Sequence, residues 1–224
     1  MTFPSKESEF DGLPFELISN SNECDYSCDF YINRLGLRNP EIEIQKPQRV
    51  FRIVVLGDSH VFGGKIFANT IPQLIQQHLA NDSELKELVK KDFEVINAGI
   101  LTFNLKAIYH LYHYKIKQLE PDLVLYVFHT NDLEKTIYKP ETDNRGRTYF
   151  IAYPSLKYIG DYLNIFPAGI EKFLITNSYF YRYLSYLSEV WSDGSKSSSY
   201  NSVQVRQLTY LDRLYKETKE NKSK

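Results

Sequence analysis

Three short apolar runs mark the first 130 residues, and each stops at a small or polar turn. The first, residues 51–56 (FRIVVL), is rich in β-branched side chains and ends at Gly57-Asp58-Ser59. The second, residues 93–97 (FEVIN), ends at Ala98-Gly99, and the third, residues 123–128 (LVLYVF), ends at His129-Thr130-Asn131-Asp132. Continuous apolar runs of this length are the pattern of strands buried on both faces, as in a parallel sheet.

Between the runs the spacing becomes helical. Ile71, Leu74, Ile75 and His78 share a face of a helix expected over 71–79. Pro72 falls in its first turn, where a missing N–H costs nothing. Asn81-Asp82-Ser83 breaks this helix, and a short charged helix follows over 84–90. Thr102 is the expected cap of a helix over 103–119, whose Leu105, Ile108, Tyr112, Ile116 and Leu119 face the sheet. Pro121 ends it. His78 reads as a half-buried helix residue. His110 and His113 read as a solvated or half-buried pair, because no carboxylate or thiol partner is evident.

Strand, helix, strand, helix, strand is the order of a doubly wound parallel sheet, here expected as a three-layer α/β/α fold. Its carboxyl edge, where such sheets bind ligands, would gather Ser59, Gly99 and Asn131.

The flanks are less patterned. Residues 1–48 carry turn signals at Asn20-Ser21-Asn22 and Arg38-Asn39-Pro40 and a short extended piece at 30–32. They read as an N-terminal extension lying against the sheet of a single α/β domain over 49–224. From 134 to about 175 the chain looks irregular, with Pro140, Pro154, Pro167 and the turn Thr142-Asp143-Asn144-Arg145-Gly146. This stretch reads as an insertion over the site edge, continuing with its linker to 202. A helix over 178–191 would carry Phe180, Tyr183, Leu184, Leu187 and Trp191 on one face. Residues 192–202 (SDGSKSSSYNS) have the composition of a flexible linker. The last helix, over 203–219, would align Val205, Leu208, Leu211 and Tyr215.

Composition narrows the function classes. The 224 residues suffice for one α/β domain with a sizeable core. A net charge of −1 gives no general attraction to nucleic acid or anionic membrane. The 18 Tyr and 14 Phe could line a sugar groove, but most are expected in the core. Cys24 and Cys28, with no further thiol or nearby His, make a poor zinc site and are expected to stay reduced. The polar N-terminus lacks an apolar signal core, and no run approaches a membrane span, so the expected compartment is cytoplasmic.

Three chemistries compete for 57–65. A phosphate loop fails on spacing, since Ser59 stands six before Lys65 where a Gly belongs and Ile66 follows it. A plain strand-to-loop turn with Ser59 as a local cap is the second. The third is a nucleophilic serine at a helix start, where dipole and free N–H groups favour an oxyanion.

LGDSH with Ser59, VINAGI with Gly99 and HTND with Asn131 resemble the first three blocks of the SGNH/GDSL hydrolases. GLRNPE (36–41) and the PDLVLYVF lead-in also look like this family, and the resemblance covers roughly residues 35–135. It implies a flavodoxin-like fold and an esterase that acts on a small ester or an O-acyl group, including one on a glycan, without cofactor or metal. Ser59 would attack the carbonyl. The N–H groups of Ser59 and Gly99 and the Asn131 amide would hold the oxyanion, each donor contributing roughly 100- to 1,000-fold in rate. Asp58 and His129 would touch substrate. The bland alternative for Asn131-Asp132 is a strand-end Asx turn.

Two departures stand out. His129 occupies a position expected to be Gly, which would narrow the pocket. The family's final block, an Asp with a His three residues later, is absent: the residues three before His60, His78, His110, His113 and His129 are Gly, Ile, Ala, His and Tyr. Without a base, a serine is a weak nucleophile. His60 and His129 are the substitutes to consider, and His129 looks the better placed because neighbouring side chains diverge. The expectation is therefore a hydrolase represented by its N-terminal part, inactive or slow alone. The alternatives are a non-catalytic SGNH-like binding protein and a flavodoxin-like binding domain.

Overall fold

The computed structural model describes residues 3–22, 31–133, 136–154 and 197–220, with the single positions 170 and 174. Cys24, Cys28 and the helix expected over 178–191 lie outside the described residues.

The architecture is mixed α/β around a three-stranded parallel sheet. Two short strands, β1 (Ser5–Glu7) and β2 (Phe15–Leu17), pair antiparallel ahead of it. The central strand β3 (Val50–Gly57) leads into a single turn, α1 (Ser59–Phe62). After α2 (Ile71–Asn81) and α3 (Ser83–Val89), strand β4 (Asp92–Gly99) pairs with β3 on one side. Helix α4 (Leu105–Leu111) continues through a wide π turn (Tyr112–Ile116) and a 3-10 turn (Lys117–Leu119). Strand β5 (Leu123–Tyr126) then pairs with β3 on its other side. The order β4-β3-β5 puts the most apolar strand in the middle, with Val54, Val55 and Leu56 wholly buried.

An apolar cluster sits on each face. Val54, Leu56, Ile96 and Ala98 pack with Ile108, Leu111, Tyr112, Ile116 and Leu119. Phe3, Phe15, Leu17 and Leu37 from the N-terminal segment join this cluster, as does Leu214 of the last helix, α5 (Ser197–Glu220). Ile53, Val55 and Val95 meet Ile75 and Leu79 of α2 on the other face. Each buried large aliphatic side chain contributes about 1.5–3 kcal/mol.

Two buried polar arrangements hold the sheet. Arg52, inside β3 and fully buried, pairs with Glu94 and donates to the carbonyls of Leu119 (2.7 Å) and Glu43 (2.9 Å). Along the outer edge of β4, side-chain amides take the place of a neighbouring strand. Gln76 donates to Phe93 O (2.9 Å) and accepts from Val95 N (2.7 Å). Asn39 donates to Asn97 O (2.7 Å) and accepts from Asn97 N (3.0 Å).

Several expectations need correction. Helix α2 turns Pro72, Ile75 and Leu79 inward and leaves Ile71, Leu74 and His78 exposed. The buried stripe thus lies one step round the helix from the one the spacing suggested. The cap of α4 is Asn104, whose Oδ1 accepts from Ala107 N (3.1 Å), not Thr102. Thr102 instead takes a left-handed conformation (φ 67°). Residues 136–154 are not irregular: β6 (Thr136–Thr142) and β7 (Thr148–Pro154) form a hairpin. Its Phe150 stacks on Phe15 (5.1 Å) and its Tyr138 hydroxyl donates to Thr102 O (2.8 Å). Pro140 is tolerated because a two-stranded hairpin has an unpaired side for a residue without N–H. Residues 197–202 are helical rather than linker. Helix α5 buries Leu214 and half-buries Tyr210 and Leu211, while Leu208 and Tyr215 face solvent. Among the described residues no helix is long and apolar enough to cross a membrane.

Candidate active site

The site is built where β3 stops. A Cβ on Gly57 would lie 2.4 Å from Val61 Cγ2, so only glycine lets the chain fold back over the strand end. Asp58 follows and caps the turn, its Oδ1 accepting from His60 N at 2.9 Å. Val61 and Phe62 are fully buried, which leaves Ser59 and His60 pointing to solvent. The helix expected after Ser59 is only one turn, so the macrodipole invoked for an oxyanion is small.

The turn is held from below by the N-terminal segment. Buried Arg38 donates to the carbonyls of Phe62 (3.0 Å), Gly63 (3.2 Å), Gly64 (2.7 Å) and Lys65 (3.3 Å). Its guanidinium also lies over the Phe62 and Phe67 rings, at 5.2 and 5.7 Å.

Gly99 sits beside this turn, paired in register with Gly57. A Cβ there would come within 2.2 Å of Phe62 N and 2.7 Å of Val61 C. The small residue therefore admits the backbone of α1. Its N–H donates to Asn97 Oδ1 at 3.0 Å and is engaged by the protein itself, not turned toward a substrate oxygen.

The end of β5 supplies the other wall. Asn131 Nδ2 donates to Asp58 Oδ2 at 3.0 Å, which brings the first and third sequence blocks together. Asn131 Oδ1 lies 2.6 Å from His129 Nδ1, and the Asn131 backbone N–H lies 3.5 Å from the same ring nitrogen. The His129 ring stacks on His60, with centroids 4.5 Å apart and planes 23° from parallel. His60 Nδ1 in turn lies 2.9 Å from Asp58 Oδ1. Asp58, 1% exposed, is thus the hub of a ring of four side chains. The sequence suggested Asp58 as a substrate contact, but both its oxygens are taken by protein groups.

Electrostatics follow from these contacts. Burial alone would raise the Asp58 carboxyl, but the His60 N–H, the Asn131 amide and the His60 ring outweigh it and hold it below the usual value. Asp132 behaves oppositely. Burial pushes it above the usual value despite bonds from His129 N (2.9 Å) and the Tyr126 hydroxyl (2.6 Å). Its buried Oδ1 has no hydrogen-bond partner among the described residues. Asp132 thus braces the His129 loop.

The remaining histidines lie elsewhere. His113 pairs with Glu217 of α5 (2.9 Å), a carboxylate 104 residues away that spacing could not reveal. His110 is half-buried between Tyr109, Tyr114 and Tyr210. Comparison of the chain with protein-family models, with curated proteins and with solved structures finds no match in any of the three.

Proposed function

We propose that the chain is an SGNH/GDSL-type serine hydrolase with a three-layer α/β/α fold, acting on a small ester or an O-acyl group such as one on a carbohydrate. The observation that carries this is the Asp58–Asn131 bond. It ties the amide from the end of β5 to the residue that precedes exposed Ser59, at the carboxyl end of the central strand.

Ser59 Oγ attacks the ester carbonyl. Of the two candidate bases it is His60, not His129, whose Nδ1–H is held by a carboxylate, that of Asp58, which leaves Nε2 as the basic nitrogen on an exposed ring. Nε2 takes the serine proton, directly or through one water, and returns it to the departing alcohol. Water then cleaves the acyl-enzyme by the same route, restoring the serine. One Asn131 amide hydrogen goes to Asp58, and the second, with Ser59 N–H, meets the oxyanion. With Gly99 N–H engaged elsewhere, the hole has two donors rather than three. A missing donor costs roughly 100- to 1,000-fold, so the expected hydrolysis is slow.

The test is labelling with a fluorophosphonate. Wild-type chain should label, Ser59→Ala should not, and His60→Ala should label far more slowly. Absence of labelling in folded wild-type chain refutes the proposal. The occupied Gly99 N–H and Asp58 oxygens favour a second reading in that case: a binding protein that keeps the pocket for an acylated ligand without turning it over.

A further inference from the structure

We propose that Asp58, His60 and His129 form a binding site for one divalent transition-metal ion of the zinc class. One ligand atom from each of the three lies within 4.8 Å of the others. Two imidazoles and a carboxylate are a donor set suited to zinc and its neighbours, and three protein ligands leave a position for water.

The geometry is close to that of a loaded site. Metal–ligand bonds of about 2.0–2.2 Å put two ligands of one ion no more than about 4.4 Å apart. The present spacing therefore needs only a small closure, and the two rings that must move are exposed. The third ligand is fixed. Asp58 is buried and oriented through its other oxygen by Asn131. Such a partner behind a ligand sets its direction and sharpens affinity. His60 Nδ1 and Asp58 Oδ1, 2.9 Å apart, already stand at roughly the spacing of adjacent ligands on one ion, with a proton where the ion would sit. Asn131 Oδ1 stands where it can accept from His129 Nδ1, the tautomer that gives the Nε2 lone pair of that ring to the metal.

Two separate stretches of chain meet here: the turn after β3, which carries Asp58 and His60, and the loop after β5, which carries His129. No other group of three such residues meets that spacing among the described residues. The ion would occupy the lone pairs of both site histidines, so it would silence a serine that depends on either. The metal proposal does not require Ser59 to be reactive, and its readout is separate from labelling.

Calorimetric titration of the full chain with zinc chloride tests it. One ion per chain is expected. His60→Ala and His129→Ala should each weaken binding at least about tenfold, while Ser59→Ala and His113→Ala leave it unchanged. Both site histidines are exposed, so their replacement should not unfold the chain; circular dichroism checks this, and His60→Gln and His129→Gln serve where alanine does not fold. Asp58→Asn, which keeps the size of the buried cap, should weaken binding similarly. Cobalt(II) should give the visible absorption of a low-coordinate site and lose it in the His129 variant. No saturable binding by wild-type chain, or full affinity in the His60/His129 double variant, overturns the proposal.

Discussion

Replacing Arg38 with Met should destabilise the chain through the turn that carries Ser59. Met fills much of the same volume, so the loss isolates hydrogen bonding from cavity formation. The guanidinium donates to four carbonyls. Phe62 is fully buried and Gly63 half-buried, whereas Gly64 and Lys65 are exposed and water can replace their bond. Two bonds from a charged donor to shielded carbonyls are worth about 1.5–3 kcal/mol each and the exposed pair about 0.5 each, a gross loss of about 4–7 kcal/mol. Removing a buried charge returns part of its desolvation cost, and a net of about 3 kcal/mol remains. Against a total stability of about 5–15 kcal/mol that is a large fraction. For a chain of this size it lowers Tm by about 6–12 °C. Urea unfolding followed by circular dichroism reads the change, with the slope unchanged if the denatured state is unaffected. Arg38→Lys should recover only part, because one ammonium lacks the planar fork that spans the carbonyls. A loss below about 1 kcal/mol, small beside the cost of unmade buried bonds, refutes the idea that Arg38 sets this turn.

Two further outcomes can be measured on the same instrument. Gly99→Ala forces its Cβ against the Phe62 backbone and should cost about 1–3 kcal/mol or more, while Gly64→Ala, which meets nothing within 4 Å, should be near neutral; equal effects would show that α1 yields freely. Glu217 ties α5 to Tyr109 (2.7 Å) and His113. Burial would raise its carboxyl, but the bonds from Tyr109 and His113 outweigh it and hold it below the ordinary 4.5. A depressed carboxyl adds stability above its ordinary value and loses it as pH falls through the lowered one. Glu217→Gln should therefore cost about 1 kcal/mol at pH 7 and progressively less below pH 4.5; a difference that does not shrink on acidification would contradict the linkage.

The parts of the fold that could be read in the chain were those written in local apolar runs. Strands buried on both faces need uninterrupted apolar residues, so β3, β4 and β5 stood out together with the turns that end them. Ser59 and Asn131 were reachable because they follow those strands directly. Other features depend on partners far away in sequence. The buried side of α2 is decided by where the sheet lies, and Ile71 and Leu74 were as apolar as the residues that won. Pro140 masked the hairpin, whose Tyr138 and Phe150 gain their burial from Phe15, more than 120 residues earlier. The serine-rich start of α5 looked like linker because composition says little about a helix fixed by its other end. Glu217 and His113 were both visible, but nothing local joins them. The Asp58 hub was hidden for the same reason: its ring of contacts draws on residues 60, 129 and 131 at once.

The amides of Gln76 and Asn39 along β4 have a consequence for how this molecule meets others. An edge strand normally offers a row of free N–H and C=O groups to any extended chain, and that is how sheets fuse between molecules. Here Phe93 O, Val95 N and both backbone groups of Asn97 are already satisfied by side chains rooted in α2 and in the N-terminal segment. A strand arriving there would have to displace four short hydrogen bonds before making its own. At these positions side-chain amides block that side of the sheet, and lateral addition of strands is steered to the side of β5, which among the described residues pairs with β3 alone.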